Sequence, residues 1–159
     1  MKAARFYNKG DIRIEDIPEP TVAPGTVGIN VAWCGICGTD LHEFMEGPIF
    51  IPPCGHPHPI SGESAPVTMG HEFSGVVYAV GEGVDDIKVG QHVVVEPYII
   101  RDDVPTGEGS NYHLSKDMNF IGLGGCGGGL SEKIAVKRRW VHPISCLLYT
   151  SPSPRDRTR

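Results

Sequence analysis

Glycine and proline interrupt this chain at short intervals, and that spacing limits what it can fold into. The 159 residues include 21 glycines and 14 prolines, and the apolar runs between them are short. Both residues punctuate secondary structure, since glycine allows turns with positive φ and proline cannot donate a backbone hydrogen bond. The sequence therefore favours many short strands and turns over long helices.

Apolar residues alternate with small or polar residues in several of these runs, which is typical of half-buried strands. A helix of one or two turns is predicted over residues 39–46, with Thr39 as its N-cap. The segments 47–69 and 97–119 are predicted to be irregular. Strands are predicted over residues 2–7, 11–17, 27–33, 73–80, 91–96, 130–136 and 140–144. The predicted fold class is mainly β, a small barrel or folded sheet of mostly antiparallel strands with short helices.

Charge and cysteine content exclude several classes of function. The net charge of -5 gives no basic surface for nucleic acid or anionic lipid. No apolar run approaches the roughly 18 residues that a membrane-spanning helix needs, and the N-terminus has no apolar signal segment. The five cysteines form an odd set without framework spacing, so a disulfide scaffold is not predicted. We expect a reduced, soluble, cytoplasmic protein with no nucleic acid or membrane partner.

Three residues in two separate motifs are good zinc ligands. Cys37 would supply a thiolate, His71 a neutral imidazole and Glu72 a carboxylate. Catalytic zinc sites use three protein ligands of this kind and keep one position open, whereas a structural site normally needs a second close cysteine pair. Taken alone, His71 could be a core histidine and Cys37 a buried thiol. The joint pattern predicts one catalytic zinc ion.

The segment from Cys34 to Cys37 also matches a C-x-x-C dithiol motif. Trp33 comes before it, as in thioredoxin-like proteins, but Ile36 replaces the proline of their W-C-G-P-C sequence. In a redox dithiol the first cysteine usually lies at a helix N-terminus, which lowers the pKa of its thiol. Here the motif follows a predicted strand instead. A thioredoxin-like protein that uses both cysteines stays open as an alternative. We expect Cys34 to be a small buried residue that does not bind the metal.

Residues 122–127 read GLGGCG and match the G-x-G-x-x-G pattern of dinucleotide-binding sites. That fingerprint needs a strand before it, a helix after it and an acidic residue roughly 20 positions further on. Here two more glycines and a predicted strand follow. We therefore predict a turn that lies close to backbone or ligand, and no cofactor-binding residue in this chain.

Five motifs along the chain are specific enough to compare with known families. They read CGICGTDLHEF at residues 34–44, GPIF at 47–50, MGHEFSGVV at 69–77, VGQHVVVEP at 89–97 and GGGLSE at 127–132. Together they resemble the zinc-dependent medium-chain alcohol dehydrogenases, and GPIF points to the branch of butanediol and polyol dehydrogenases. The resemblance covers about residues 1–144. It implies the GroES-like catalytic domain of a two-domain enzyme whose nucleotide-binding Rossmann domain is absent from this chain.

The resemblance also implies roles for the residues around the metal. The zinc ligands would be the three residues named above, with Glu72 as a constant or an alternating ligand. Thr39 would take the proton of the substrate hydroxyl, and His42 would pass it to solvent. Asp40 would hold the ring of His71, as carboxylates commonly do beside metal-bound histidines.

The sequence departs from this family in two places. Many members hold a structural zinc with four closely spaced cysteines in a lobe that corresponds to residues 97–119, and that stretch has no cysteine here. We predict no structural zinc, and a lobe that is held by packing or left mobile. Residues 145–159 are rich in serine, proline and arginine and resemble translated adaptor or vector sequence. We interpret them as a non-native or disordered tail, so that the predicted domain spans residues 1–144.

The function implied by the resemblance is that of the N-terminal part of a zinc-dependent, NAD(P)-linked dehydrogenase. Such an enzyme oxidises secondary alcohols or vicinal diols, of the butanediol and acetoin type, to ketones. NAD(P) would bind to the full-length protein, which we expect to be a homo-oligomer, while the chain by itself is expected to bind zinc weakly and to be inactive. A thioredoxin-like dithiol protein and a non-catalytic GroES-like module are the alternatives.

Overall fold

The computed structural model describes residues 1–144, so the tail predicted over residues 145–159 lies outside the described part of the chain. Within that part, the helix α1 spans Gly38–Glu46, and single 3-10 turns span Tyr112–Leu114 and Arg138–Trp140. The strands are β1 (Lys2–Asn8), β2 (Asp11–Asp16), β3 (Thr26–Gly35), β4 (Val67–Thr68), β5 (Glu72–Val80), β6 (His92–Val95), β7 (Tyr98–Ile99), β8 (Asn119–Phe120), β9 (Lys133–Lys137) and β10 (Val141–Pro143).

All strand pairings within residues 1–144 are antiparallel. One sheet has the order β10-β6-β5-β3-β9, a second has the order β2-β1-β4, and β7 pairs with β8. The pairing of β3 with β5 runs from Val27 opposite Val80 to Gly35 opposite Glu72. This arrangement confirms the mainly β, antiparallel fold class. It also places the end of β3 beside the start of β5, where the two ligand motifs lie.

Two clusters of buried apolar side chains stabilise these sheets. The larger cluster belongs mostly to the five-stranded sheet and includes Ile29 and Val93, both fully buried. The smaller cluster contains Phe6, Ile51 and Met69. Burying one such side chain contributes about 1.5–3 kcal/mol. Since Met69 is followed two positions later by a predicted zinc ligand, the smaller cluster fixes the chain that enters the candidate site.

The predicted start of the helix was wrong. α1 begins at Gly38 with Cys37 as its N-cap, rather than at Thr39. The physical reason is Asp40, whose Oδ2 accepts a hydrogen bond from the backbone N–H of Cys37 at 2.9 Å. A carboxylate in the first turn also interacts well with the positive end of the helix dipole.

The lobe over residues 97–119 is more ordered than the sequence predicted. β7 opens it and β8 closes it, with Tyr98 opposite Phe120. Ile99 and Ile100 are buried and belong to the larger apolar cluster, so this segment contributes to the core. Strands of two residues are too short to show any periodicity, which is why the sequence pattern missed them.

No helix within residues 1–144 has the length and apolar content needed to cross a membrane.

Candidate metal centre

The two ligand motifs meet at one end of the β3–β5 pair. Cys37 follows β3 and caps α1, His71 comes directly before β5, and Glu72 is the first residue of β5. The Cys37 Sγ, one ring nitrogen of His71 and one carboxylate oxygen of Glu72 all lie within 4.8 Å of one another. Across residues 1–144, no other cluster of three such side chains could hold a metal ion. The structure therefore brings together all three residues that the sequence singled out.

Asp40 contacts both Cys37 and His71. It is 5% exposed, and its Oδ1 is 3.5 Å from Nδ1 of His71, which is 8% exposed. The interaction with the Asp40 carboxylate is the largest contribution that raises the pKa of His71 to about 9, while burial lowers it. A metal ion that binds the ring would therefore displace a proton from it at neutral pH.

The donor set fits a zinc ion. A thiolate, a neutral imidazole and a carboxylate are common zinc ligands, and the two negative charges balance Zn²⁺. Asp40 Oδ1 and His71 Nδ1 are both buried, and neither has a hydrogen-bond partner among the described residues. An imidazole that turns Nε2 toward a metal would point its Nδ1–H at this carboxylate, an arrangement that fixes the ring around bound metals.

The glycine-rich segment at residues 122–129 packs against the backbone of Met69 and Gly70, just before His71. A Cβ at Gly122 would lie 2.1 Å from the carbonyl oxygen of Gly70, and one at Gly128 would lie 2.3 Å from that of Met69. The backbone N–H of Gly129 donates to the Gly70 carbonyl at 2.7 Å. The segment is followed by β9, with no intervening helix in residues 1–144. This confirms a turn in close contact with backbone, as predicted, and shows that it positions a candidate ligand.

The geometry of the C-x-x-C motif disfavours a redox dithiol. Cys34 lies on β3, and burial is the largest effect that raises the pKa of its thiol to about 11. The cysteine at the helix N-cap is instead Cys37. A reactive first cysteine needs the opposite arrangement, with a lowered pKa at the helix N-terminus. Cys34 is also outside the ligand cluster, as the sequence predicted.

Thr39 and His42 lie on α1, three residues apart. The Oγ1 of Thr39 is 3.7 Å from the Sγ of Cys37, so its hydroxyl borders the ligand cluster. His42 is exposed to solvent one turn further along. Residues three apart on a helix share a face, so this pair could connect the cluster with the surface.

An open cavity of about 430 Å³ reaches the cluster from outside. His71 and Glu72 line it together with Trp33, Val94 and Pro97. Trp33 is 80% exposed, although it is the largest apolar side chain near the site. The cavity gives a small molecule access to two of the three candidate ligands.

Sequence reasoning missed a buried carboxylate on the same helix. Glu43 is 0% exposed and accepts hydrogen bonds from the backbone N–H groups of Ile49, Phe50 and Ile51. Its neighbours on α1 point the other way, and Met45 is 61% exposed. A helix that buries its acids and exposes its apolar residues inverts the usual amphipathic pattern. That inversion is visible only in the structure, so the sequence carried no local signal for the structural role of Glu43.

Comparison with known proteins agrees with this fold. A family model described as the alcohol dehydrogenase GroES-like domain matches residues 23–146. The chain belongs to this family, and its curled antiparallel sheets have the GroES-like fold.

Several individual proteins in the family are similar to this chain over most of its length. The chain is 57% identical over 136 residues to the (R,R)-butanediol dehydrogenase of Bacillus subtilis, covering 86% of this chain and 38% of that protein. It is 39% identical over 160 residues to the (R,R)-butanediol dehydrogenase of Saccharomyces cerevisiae, covering 91% and 42%. The crystal structure of 2R,3R-butanediol dehydrogenase from Bacillus subtilis matches with a TM-score of 0.85 and 53% identity, covering 91% of this chain and 40% of that one. The chain thus spans about two-fifths of the length of these relatives.

Proposed function

We propose that this chain carries the zinc-binding half of the active site of a zinc-dependent, NAD(P)-linked dehydrogenase. The substrates are secondary alcohols or vicinal diols of the butanediol and acetoin type, which the enzyme oxidises to ketones. The observation that carries this proposal is the cluster of Cys37, His71 and Glu72 donor atoms within 4.8 Å of one another. The diol class is supported by relatives that are named (R,R)-butanediol dehydrogenases.

Cys37, His71 and Glu72 would hold one catalytic zinc ion. When bound, zinc supplies a Lewis acid that favours loss of the hydroxyl proton, as it lowers the pKa of water from about 16 to about 7. The open cavity beside His71 and Glu72 would admit the alcohol to this site.

The residues of this chain would then handle the proton. Thr39 would accept it from the substrate hydroxyl, because its own hydroxyl lies against Cys37 at the edge of the cluster. His42, exposed one turn further along α1, would pass the proton to solvent. Asp40 would keep the ring of His71 oriented toward the metal. In the proposed full-length enzyme, residues outside this chain would hold a nicotinamide cofactor, which would supply the hydride acceptor.

Metal analysis tests the proposal directly on this chain. Because binding to this chain by itself is expected to be weak, the analysis is made with zinc in excess. We then expect one zinc ion per chain, and a cobalt-substituted form with a thiolate-to-cobalt charge-transfer band. Both should be lost in Cys37→Ser and His71→Ala. The matched controls are Cys54→Ser and His56→Ala, since both residues are exposed and lie outside the cluster. A wild-type chain that binds no zinc would contradict the proposal, and two zinc ions per chain would contradict the prediction of no structural zinc.

The proton relay is tested in the proposed full-length enzyme, which would include the part that binds the nicotinamide cofactor. Thr39→Val keeps the side-chain shape but removes the hydroxyl, so we expect about a 10²-fold loss of kcat for 2,3-butanediol with unchanged zinc content. Unchanged turnover in this variant would exclude Thr39 from the relay. Absence of any nicotinamide-dependent oxidation of secondary alcohols or diols by the wild type would exclude the dehydrogenase itself.

A further inference from the structure

Four aromatic side chains connect the lobe to the rest of the domain. We call Tyr98, Tyr112, Phe120 and Trp140 the aromatic cluster. The ring centroid of Tyr98 lies 5.3 Å from that of Tyr112, 5.3 Å from that of Phe120 and 5.8 Å from that of Trp140. The ring centroids of Tyr112 and Trp140 are 5.7 Å apart. These are the separations at which aromatic pairs attract one another beyond simple burial. The lobe is therefore held by packing, in a stretch without cysteines.

The aromatic cluster extends to a candidate zinc ligand. The ring of Phe120 stacks on the imidazole of His71, with centroids 6.0 Å apart and planes inclined by 30°. At the opposite end, the hydroxyl of Tyr112 donates a hydrogen bond to Glu96. A continuous set of ring contacts thus runs from the candidate metal centre to the 3-10 turn at Tyr112–Leu114.

The imidazole of His71 needs more than one contact to keep a fixed orientation. Asp40 faces only Nδ1, at 3.5 Å, so the ring could still rotate out of the position in which Nε2 reaches a metal. Phe120 packs against the face of the ring and restricts that rotation. Restricting a ligand before the metal arrives raises affinity, because less conformational freedom is lost on binding.

We propose that Phe120 is a positioning residue that sets the plane of the His71 imidazole. Phe120 is itself held by its contact with Tyr98 in the aromatic cluster. The order of the lobe at residues 97–119 is thereby coupled to the zinc affinity of the metal centre. This inference rests on the proposed zinc site, and it adds a role for residues that make no contact with the metal.

Zinc affinity of Phe120 variants tests the inference, measured by competition with a chromophoric chelator. We expect Phe120→Leu to bind zinc about tenfold more weakly, within the range found when groups that orient a ligand are removed. The cobalt-substituted variant should show shifted ligand-field bands, since the ring nitrogen would bind at an altered angle. Phe120→Tyr keeps the ring, and Phe120 is only partly buried, so this variant should restore both the affinity and the spectrum.

Tyr78→Leu is the matched control for a general loss of packing. Tyr78 is also a partly buried aromatic residue, but it lies on β5 six positions after Glu72, about 20 Å along the strand. This variant should keep the wild-type zinc affinity even if its melting temperature falls. Equal weakening in Tyr78→Leu and Phe120→Leu would overturn the inference, because it would indicate a non-specific effect of stability.

Tyr98→Leu tests whether the contact of Tyr98 with Phe120 contributes to zinc binding. Tyr98 contacts Phe120, and Phe120 is the one aromatic ring paired with His71 within residues 1–144. We expect a smaller but measurable weakening of zinc binding, in the same direction as for Phe120→Leu. Wild-type affinity in Tyr98→Leu would overturn the coupling of lobe and metal centre.

A metal-free measurement separates this inference from the proposed function. NMR relaxation of the His71 ring should show a lower order parameter in Phe120→Leu than in the wild type or in Phe120→Tyr. If the wild type binds no zinc but this difference is present, the proposed function fails and the positioning role stands. If zinc binds normally and neither affinity nor ring order changes in Phe120→Leu, the positioning role fails alone.

Discussion

At the scale of single residues, Asp40 is the side chain on which the candidate metal centre depends most without binding the metal. Its two oxygens serve both motifs: Oδ2 accepts from the N–H of Cys37 at 2.9 Å, and Oδ1 faces the ring of His71 at 3.5 Å. One buried carboxylate therefore fixes two of the three candidate ligands.

Removing the charge of Asp40 should weaken zinc binding. We expect Asp40→Asn to lower the affinity by about 10–100-fold, the range for groups that orient a metal-bound histidine. Asp85→Asn is the control, because Asp85 is exposed and lies away from the cluster. A chelator competition titration measures both variants, and equal affinity in Asp40→Asn and the wild type would contradict the role assigned to Asp40.

The Cys34 thiol of the C-x-x-C motif should be less reactive than an exposed cysteine. Burial raises the pKa of Cys34 to about 11, so only a small fraction of this thiol is ionised at pH 8. We expect iodoacetamide to modify Cys34 far more slowly than Cys54, which is exposed. Mass spectrometry of tryptic peptides over time gives both rates. Faster modification of Cys34 than of Cys54 would revive the dithiol alternative.

At the scale of elements, α1 is organised by the acids that it buries. Asp40 faces the metal centre, and Glu43 binds the N–H groups of residues 49–51. The chain that follows the helix is therefore attached to it by side-chain hydrogen bonds rather than by a strand. The apolar residues of α1 stay exposed as a consequence.

Replacing Glu43 should destabilise the domain. In Glu43→Gln one oxygen becomes an amide NH₂, which faces a backbone N–H instead of accepting from it. We expect a loss of about 1–3 kcal/mol in the free energy of unfolding, the usual cost of a buried unsatisfied polar group. Urea unfolding measures it, with Glu46→Gln as the control on the exposed side of α1. Equal stability of the two variants would contradict the anchoring role.

Two glycines separate the effect of close packing from the effect of backbone conformation. Gly122 and Gly10 have φ of 87° and 70°, but a Cβ at Gly122 would lie 2.1 Å from a carbonyl oxygen, whereas nothing lies within 4 Å at Gly10. Gly10→Ala should cost about 1–2 kcal/mol, the strain of a left-handed conformation. Gly122→Ala should cost clearly more and should also lower zinc affinity, because Gly70 would move beside His71. Thermal unfolding and zinc titration check this, and equal losses would be inconsistent with close packing of the turn.

At the scale of the whole molecule, several large apolar side chains that lie close to the candidate ligand Cys37 in the sequence are exposed. Trp33, Ile36 and Met45 are 80%, 70% and 61% exposed, and Ile49 and Phe50 are each 52% exposed. All five lie within a stretch of 18 residues, 33–50, that also contains this candidate ligand. Exposed apolar surface of this kind promotes association or requires a partner.

We expect the chain to self-associate at high concentration. Sedimentation velocity over a range of concentrations should show a rising average mass. Trp33→Gln should shift the association to higher concentration, while Val89→Gln should not, because Val89 is also exposed, at 62%, but does not belong to this group of five residues. A monodisperse wild type across the whole range would contradict this expectation.

The sequence by itself determined the fold class and the identity of the candidate ligands. Alternating apolar residues depend only on the period of a strand, so β1, β2, β3 and β5 were predicted nearly to their observed ends. Cys37, His71 and Glu72 were recognised from side-chain chemistry and spacing alone.

Only the tertiary structure decided how these residues are held. The stacking of Phe120 on His71 joins positions 49 residues apart, and the contact of Gly122 with Gly70 joins positions 52 apart. No local pattern encodes such contacts, because they depend on how separate elements pack together. The helix start at Gly38 follows instead from a local hydrogen bond between Cys37 and Asp40, whereas the burial of Glu43 follows from hydrogen bonds to the chain beyond the helix that form only once it has folded.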